Sequence, residues 1–276
     1  MTLIAIVTSL VLERLLEYVH ELRRYESYRD YVIWLRRRLH GDPWEGRVGV
    51  LTVLAPVLLL TAVLQSAFDD LLFGLPGLLF AIAVLVFCLG PRDLGHELGQ
   101  YRDAYTAGDE EAARQLARGL LGQEPPAELD AQAAAVTEAV LTQANVRIFA
   151  VLFWFAVLGP LGAVLYRAVA ELRRHTLADS DEFAWAARQL CAILDWVPAR
   201  LTAFGYALSG HFESALLRWR EAATLSEHWS TSSEPVLAAA GLGALGLQEE
   251  ARDSGTWNHV LQSAMSLVWC TLVLWV

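Results

Sequence analysis

The chain contains no lysine, only three cysteines and few charged residues for its length. Its 21 positive residues are all arginine and face 31 acidic ones, and the net charge of −10 argues against a nucleic-acid partner. Cys88, Cys191 and Cys270 fall in or beside apolar runs, with neither metal-binding nor redox spacing. We therefore expect them to be small core residues, and we expect no metal and no bound cofactor.

Several well-known catalytic motifs are also missing. The sequence has no phosphate-binding GxxxxGK[ST] loop, no GxSxG nucleophile elbow, no HExxH zinc helix and no set of kinase motifs. These absences exclude the common sequence signatures of nucleotide hydrolysis, serine hydrolysis and zinc proteolysis. No catalytic residue is predicted from a motif of this kind.

Long apolar runs dominate what is present. Charged residues make up 19% of the chain, against about 25% in soluble domains, and the mean hydropathy is +0.36. About 20 apolar residues cross a bilayer as a helix, and the runs lie at 1–19, 48–68, 70–90, 146–170, 190–208 and 260–276. The sequence predicts an all-α, polytopic helical membrane protein. We expect four to six membrane-embedded helices, one of them broken at Gly159-Pro160, together with cytoplasmic helical hairpins.

Arginine placement predicts how these segments are arranged, because cytoplasmic loops are rich in arginine. Residues 1–90 are expected to form three transmembrane helices with a basic cytoplasmic segment at 20–47. No basic residue precedes Arg14, so the first run is interpreted as a retained span and not as a cleaved signal peptide. The remaining regions are a cytoplasmic helical insert at 91–145, a broken or re-entrant membrane core at 146–211, a cytoplasmic helical region at 212–259 and a C-terminal transmembrane helix at 260–276. The side of residues 172–189 stays open.

Within the insert, helices are expected at 92–106, 109–121 and 127–145, the last one running into the next apolar stretch. Gly108 is suited to the position after a helix end, and Asp109 is suited to an N-cap. The insert is therefore expected to contribute ordinary helical hairpins.

Four polar residues in or beside the apolar runs are candidates for a ligand site. Asp195 and Arg200 flank Pro198, and an ionisable residue inside a membrane segment indicates a functional site. Asn145 and Arg147 stand at the entry to the Gly-Pro segment, and with Arg200 they are suited to binding phosphate or carboxylate. The alternative is that Asp195 and Asn145 cap helices while the arginines reach the lipid headgroups.

Glu13 and His96 are possible additional site residues. His96 belongs to an ionisable patch with Glu97, but no second histidine follows at metal-binding spacing. A solvated helix face is the alternative for this patch.

Several short stretches resemble the AmpE family, the inner-membrane proteins associated with β-lactamase induction. They are Met-Thr-Leu at 1–3, Glu-Arg-Leu at 13–15, Asn-Val-Arg at 145–147, Leu-Phe-Trp at 152–154, Tyr-Arg-Ala at 166–168, Leu-Asp-Trp-Val-Pro-Ala-Arg-Leu at 194–201 and Tyr-Ala-Leu-Ser-Gly-His at 206–211. The resemblance implies a multi-pass regulatory or sensory protein of the bacterial inner membrane, linked to peptidoglycan recycling and β-lactamase induction. It also implies a cytoplasmic partner such as the amidase AmpD. From the residues themselves we expect the ligand to be an anionic small molecule, held by Asn145, Arg147, Asp195 and Arg200.

The chain is similar, more distantly, to the CobD/CbiB membrane proteins of cobalamin synthesis. It shares Pro-Ala-Arg-Leu-Thr at 198–202 with them, as well as a pattern of His96, Gly-Asp at 108–109 and Ala-Arg at 113–114. This second resemblance implies an ATP- and magnesium-dependent ligase that joins an amino-alcohol phosphate to a corrinoid carboxylate, here with a changed substrate.

The chain departs from those relatives where they carry acidic residues. Their Glu-Asn-Thr-Ser-Asp stretch is Ala-Asn-Val-Arg-Ile at 144–148, their Asn-Thr-Leu-Asp-Ser stretch is Val-Ala-Glu-Leu-Arg at 169–173, and their Arg-Asp-Thr is Gly-Gln-Glu at 122–124. A magnesium site needs such carboxylates. The regulatory interpretation is therefore preferred over the enzyme, and a transporter with a broken helix at Gly159-Pro160 ranks last.

Overall fold

The structure is a computed structural model that describes residues 2–15, 26–38, 46–69, 75–89, 94–176, 181–225, 233–246 and 257–276. All regular structure in these residues is helical, and no strand occurs among them. The helices are α1 (Thr2–Leu15), α2 (Glu26–Arg38), α3 (Gly46–Asp69), α4 (Leu75–Cys88), α5 (Leu94–Ala107), α6 (Glu110–Leu121), α7 (Leu129–Ala144), α8 (Ala150–Leu158), α9 (Pro160–His175), α10 (Glu182–Ser209), α11 (Phe212–Leu225), α12 (Ser233–Ala244) and α13 (Trp257–Trp275). A π-helical segment, Asn145–Phe149, joins α7 to α8.

Two stretches of helix are long and apolar enough to cross a membrane. The first is Gly46–Phe68 in α3, and the second is Leu129–Leu158, which runs through α7, the π segment and α8. Two shorter apolar helices cover Leu3–Leu12 and Leu75–Cys88. The prediction of an all-α helical membrane fold is confirmed. The assignment of regions to either side of the membrane stays a prediction.

The chain divides into two compact units, and the first comprises Met1–Pro91 and Ala150–Asp195. In this unit α1 packs on α4, while α9 packs on α3, α4 and α8. Its core holds large side chains that are almost fully buried: Leu54, Leu85, Phe155, Tyr166 and Leu172. Burial of this apolar surface is the main term that holds the helices of the unit together.

The second unit comprises Arg92–Phe149 and Trp196–Val276. Its helix α7 lies at the centre and packs on α5, α6, α12 and α13, and α11 packs on α12. Its core includes Tyr101, Leu141, Phe149, Tyr206 and Leu237.

The predicted break at Gly159-Pro160 is confirmed. Gly159 has φ +67°, a conformation that favours glycine, and Pro160 begins α9 at the first helical position, where its missing N–H is not needed. The Gln65 side chain accepts a hydrogen bond from the Leu161 N–H at 3.3 Å and so satisfies one free donor at the start of α9. Because α8 packs on α9, the segment forms two helices and not one kinked span.

The helices of the insert follow the predicted pattern closely. Asp109 caps α6, since its carboxylate accepts from the Ala112 N–H at 3.0 Å, and Gly108 has φ +71°. The alternative in which Asp195 caps a helix starting at Trp196 is wrong, because α10 already begins at Glu182 and continues through Pro198.

The expectation for the cysteines is confirmed in part. Cys88 and Cys191 are buried, whereas Cys270 is exposed on α13 and so is not a core residue. An exposed side chain on an apolar helix is compatible with a lipid environment, which the sequence alone did not distinguish from a protein core.

Candidate functional site

The candidate site lies in the second unit, where the hydrogen-bonding pattern of a long apolar helix changes. Residues Asn145–Phe149 form a π-helical turn between α7 and α8. Such turns widen a helix locally and occur frequently at functional sites. At the start of the turn the Asn145 N–H bonds the Thr142 carbonyl. The sequence pattern of an uninterrupted apolar helix carries no signal for this change.

Two hydroxyl groups of α10 are bonded to this region. The buried Thr202 hydroxyl donates to Asn145 Oδ1 at 3.1 Å, and the buried Tyr206 hydroxyl donates to the Leu141 carbonyl at 2.8 Å. The Tyr206 ring also meets Phe149 edge-on, with centroids 6.3 Å apart. Thr202 and Tyr206 are four residues apart and therefore lie on one face of α10. The Thr202 bond orients the buried Asn145 amide, and the Tyr206 contacts anchor the residues on either side of it.

Arg147 is held by an acidic residue from a different helix. Its Nη1 donates to Glu97 Oε2 at 2.8 Å, and the two side chains are only 18% and 14% exposed. A charge-assisted bond of this kind is stronger than a neutral one. Glu97 comes from α5, and it belongs to the ionisable patch for which the sequence indicated His96 as the candidate.

His96 itself has a different environment. It is exposed, and its Nε2 lies 3.1 Å from Gln100 Nε2, one turn further along α5. The structure therefore associates Glu97, and not His96, with the π segment. The signal that could have found Glu97 is its position beside His96 in the only dense ionisable patch at the start of the insert.

Arg200 lies on α10 and contacts the preceding turn of its own helix. Its guanidinium stacks on the Trp196 ring at 4.0 Å from the centroid, and its Nη1 donates to the Trp196 carbonyl at 3.0 Å. Arg200 is partly exposed. The pocket that Arg200 is predicted to form with Asn145 and Arg147 stays a prediction.

Asp195 belongs to the first unit and is buried among side chains of α9 and α10. It accepts a hydrogen bond from the Tyr166 hydroxyl at 2.6 Å and one from the Cys191 thiol at 3.3 Å. The guanidinium of Arg173 lies 3.9 Å away. The sequence analysis did not assign Tyr166 or Arg173 to a site. Tyr166 lies in the AmpE-like stretch 166–168, and Arg173 lies in the stretch 169–173, where the chain departs from the CobD/CbiB proteins.

The remaining predicted residue, Glu13, lies in α1, but its side chain is outside the part of the chain that the structure describes. Among the residues it does describe, no three His, Cys, Asp or Glu side chains gather as a metal-binding group.

The helical fold and the polar contacts inside it define a helical membrane protein with buried, hydrogen-bonded polar groups. A family model described as CobD/Cbib protein matches residues 3–259. The chain therefore belongs to the CobD/CbiB family. No solved structure matches it significantly.

Curated relatives point the same way. Cobalamin biosynthesis protein CobD of Stutzerimonas stutzeri is 34% identical over 227 residues, which is 74% of this chain and 74% of that protein. Cobalamin biosynthesis protein CobD of Chromobacterium violaceum is 36% identical over 185 residues, or 64% of this chain and 58% of that protein. Protein AmpE of Shigella flexneri is 30% identical over 190 residues, or 63% of this chain and 64% of that protein.

The sequence analysis preferred the AmpE family over the CobD/CbiB family, and these comparisons reverse that preference. The expected AmpE-like regulatory function in β-lactamase induction is wrong, because the family model and several relatives are those of cobalamin biosynthesis. The short AmpE-like stretches are better explained as features common to related membrane proteins. The contact with AmpD depended on the regulatory interpretation and stays an untested prediction.

Proposed function

We propose that this chain is a multi-pass protein of the bacterial inner membrane that acts in cobalamin biosynthesis as an amide-forming ligase. The observation that carries the proposal is the match of the CobD/CbiB family model over residues 3–259. The two candidate spans support a membrane location. ATP would phosphorylate a corrinoid carboxylate with release of ADP, and the amine nitrogen of an amino-alcohol phosphate would then displace phosphate from the carboxyl carbon and lose a proton to form the amide.

The polar residues around the π segment are suited to substrates that carry negative charge. Both proposed substrates are anionic, and an arginine guanidinium matches the geometry of phosphate and carboxylate oxygens. Arg147 is oriented for such a role by Glu97, at 2.8 Å, while the Asn145–Thr202 pair fixes the neighbouring turn. We assign Arg147 to substrate binding and Glu97, Asn145 and Thr202 to its positioning.

Glu97 also bears on the acidic residues that the sequence lacks. The segment at 144–148 contains no acid, but the fold brings a carboxylate to it from α5. In the proposed reaction ATP is the substrate that activates the carboxylate. We assign no described residue to a metal ion.

Complementation tests the proposal most directly. A bacterium that lacks its own CobD-family protein and depends on cobalamin for growth would receive this chain or a variant. We expect the wild-type chain to restore growth. We expect Arg147→Gln to reduce product formation by about tenfold or more, since it removes a charged contact worth about 1.5–3 kcal/mol. KM for the amino-alcohol phosphate should change more than kcat does.

Arg102→Gln is the matched control. Arg102 also pairs with an acidic residue, Asp103 at 3.6 Å, but on the exposed surface of α5, where such a pair contributes little. Failure of the wild-type chain to support cobalamin synthesis while present in the membrane would refute the function. Equal activity of the two arginine variants would refute the assigned site.

A further inference from the structure

Pro198 lies inside helix α10 and leaves one backbone carbonyl of that helix without its usual partner. Proline has no backbone N–H, so it cannot donate to the carbonyl of the residue four positions earlier. That residue is Leu194, and both residues are buried. A buried carbonyl that makes no hydrogen bond is costly. The Leu194 carbonyl therefore needs a donor other than the backbone of its own helix.

The indole of Trp154 supplies this donor. Trp154 lies on α8, and its Nε1 donates to the Leu194 carbonyl at 3.0 Å. Indole carries a single N–H and no acceptor, so this bond uses the whole hydrogen-bonding capacity of the side chain. A half-buried side chain from a different helix thus takes the place of the N–H that is missing at Pro198.

The bond at Trp154 has a counterpart at the start of the π turn, where Asn145 accepts from Thr202. Between these two bonds, residue numbers fall along α10 as they rise from α7 into α8. Trp154 follows Asn145 by nine positions, whereas Leu194 precedes Thr202 by eight. The stretch from α7 into α8 thus uses one residue more than α10 does between the same two bonds.

The π turn accounts for the additional residue. Nine residues make about 2.5 turns of a regular α-helix, so an unbroken helix would direct Trp154 to the side opposite Asn145. The π segment Asn145–Phe149 closes its hydrogen bonds over five residues instead of four and so takes up one residue. The other eight make about 2.2 turns, as do the eight on α10. Asn145 and Trp154 can therefore both meet α10.

We propose that the π turn exists to bring Trp154 to the carbonyl that Pro198 leaves free, and that Trp154 is a positioning residue for Arg147. The bonds at Asn145 and Trp154 hold the π turn from both ends. Arg147 lies within that turn, so the direction of its side chain depends on the turn being kept. The positioning role rests on the proposed function, whereas the pairing of Trp154 with Pro198 rests on the hydrogen bonds alone.

A double-mutant cycle tests the pairing of Trp154 with Pro198. Trp154→Phe removes the indole N–H, and Pro198→Ala restores a backbone N–H that can bond the Leu194 carbonyl. We expect Trp154→Phe to raise the equilibrium constant of unfolding in a denaturing detergent about tenfold, as for a buried acceptor that loses its donor. In the Pro198→Ala chain the same change should raise that constant less than about threefold, because the two effects are coupled.

The half-buried Trp219 of α11 provides the matched control. Trp219→Phe is expected to change the unfolding constant by the same factor with and without Pro198→Ala. Equal effects of Trp154→Phe in the two chains would overturn the pairing. Replacing Trp154 by β-(3-benzothienyl)alanine, which keeps both rings but has no N–H, separates the hydrogen bond from packing. If this analogue leaves the stability of the wild-type chain unchanged, the bond to Leu194 has no role and the proposal is wrong.

Kinetics of the membrane-inserted chain test the positioning role. We expect Trp154→Phe to raise KM for the amino-alcohol phosphate about fivefold while kcat changes less than about twofold, because Arg147 is displaced but still present. A purely structural role would lower the amount of active protein without changing KM.

The outcomes separate the two parts of the proposal. An unchanged KM together with a coupled cycle would show that Trp154 pairs with Pro198 but does not position Arg147. A wild-type chain without ligase activity would refute the proposed function and the positioning role together, whereas the cycle would still decide the pairing.

Discussion

At the scale of single residues, the buried carboxylate of Asp195 shows how the fold accommodates a charge in an apolar region. A buried charge is costly unless it is paired and hydrogen-bonded. Asp195 receives bonds from Tyr166 and Cys191 and has Arg173 at 3.9 Å. Three partners within reach are sufficient to account for its burial without any ligand.

Removing one of these donors should therefore destabilise the protein. We expect Tyr166→Phe to lower the free energy of unfolding by about 1–3 kcal/mol, because it leaves a buried acceptor with one bond fewer. Thermal unfolding in detergent, followed by circular dichroism, measures the change.

Tyr105→Phe is a suitable comparison for Tyr166→Phe. The Tyr105 hydroxyl donates to Asp130 at 2.9 Å in a partly buried position. Burial, together with this hydrogen bond, raises the pKa of Tyr105 to about 12, so the phenol is protonated at neutral pH. Because water can replace the missing hydrogen bond at this partly buried position, Tyr105→Phe should lower the free energy of unfolding by less than Tyr166→Phe does. A free energy of unfolding for Tyr166→Phe equal to that of the wild-type chain would show that the Tyr166–Asp195 bond is not stabilising.

At the scale of the elements, glycines decide how closely neighbouring helices pack. A Cβ at Gly162 on α9 would collide with the backbone carbonyl of Trp154 on α8. The backbone cannot move aside as a flexible side chain can. The contact between α8 and α9 thus requires glycine at this position.

Gly162→Ala should force α8 and α9 apart and cost about 1–3 kcal/mol of stability, as expected for overpacking. Gly99→Ala is the control, since nothing lies within 4 Å of its Cβ. That change should be neutral or stabilising by up to about 1 kcal/mol, because alanine favours a helix more than glycine does. Unfolding in a denaturing detergent measures both, and equal stability of the two variants would contradict the close contact at Gly162.

At the scale of the whole molecule, two apolar helical stretches are suited to a bilayer. The stretches Gly46–Phe68 and Leu129–Leu158 both have the length needed to span one. We expect the chain to stay in the membrane fraction after washing with high salt or alkaline carbonate, and to be released only by detergent. Release of most of the protein by carbonate, which removes peripheral proteins, would show that these helices do not cross the bilayer.

The sequence was sufficient for those parts of the structure that depend on local composition. The apolar runs predicted a helical membrane fold, Gly159 and Pro160 predicted the break between α8 and α9, and Asp109 predicted a cap. Each depends on the properties of a few adjacent residues, such as a fixed φ angle or a side-chain hydrogen bond. These properties act wherever the segment is placed.

The candidate site could be predicted only in outline. Asn145, Arg147, Asp195 and Arg200 were recognised as polar residues in apolar surroundings, but their partners were not. Asn145 meets Thr202 from 57 positions away, and Arg147 meets Glu97 from 50 positions away. No local pattern encodes such pairs.

The sequence by itself thus determined the class of fold, the break in the helix and the membrane environment, because hydrophobicity and backbone preference act on neighbouring residues. Only the tertiary structure decided that α7 passes through a π turn at Asn145, that Glu97 holds Arg147 and that Tyr166 holds Asp195. The physical reason is that a buried polar group takes whichever donor or acceptor the packing of distant helices brings within about 3 Å.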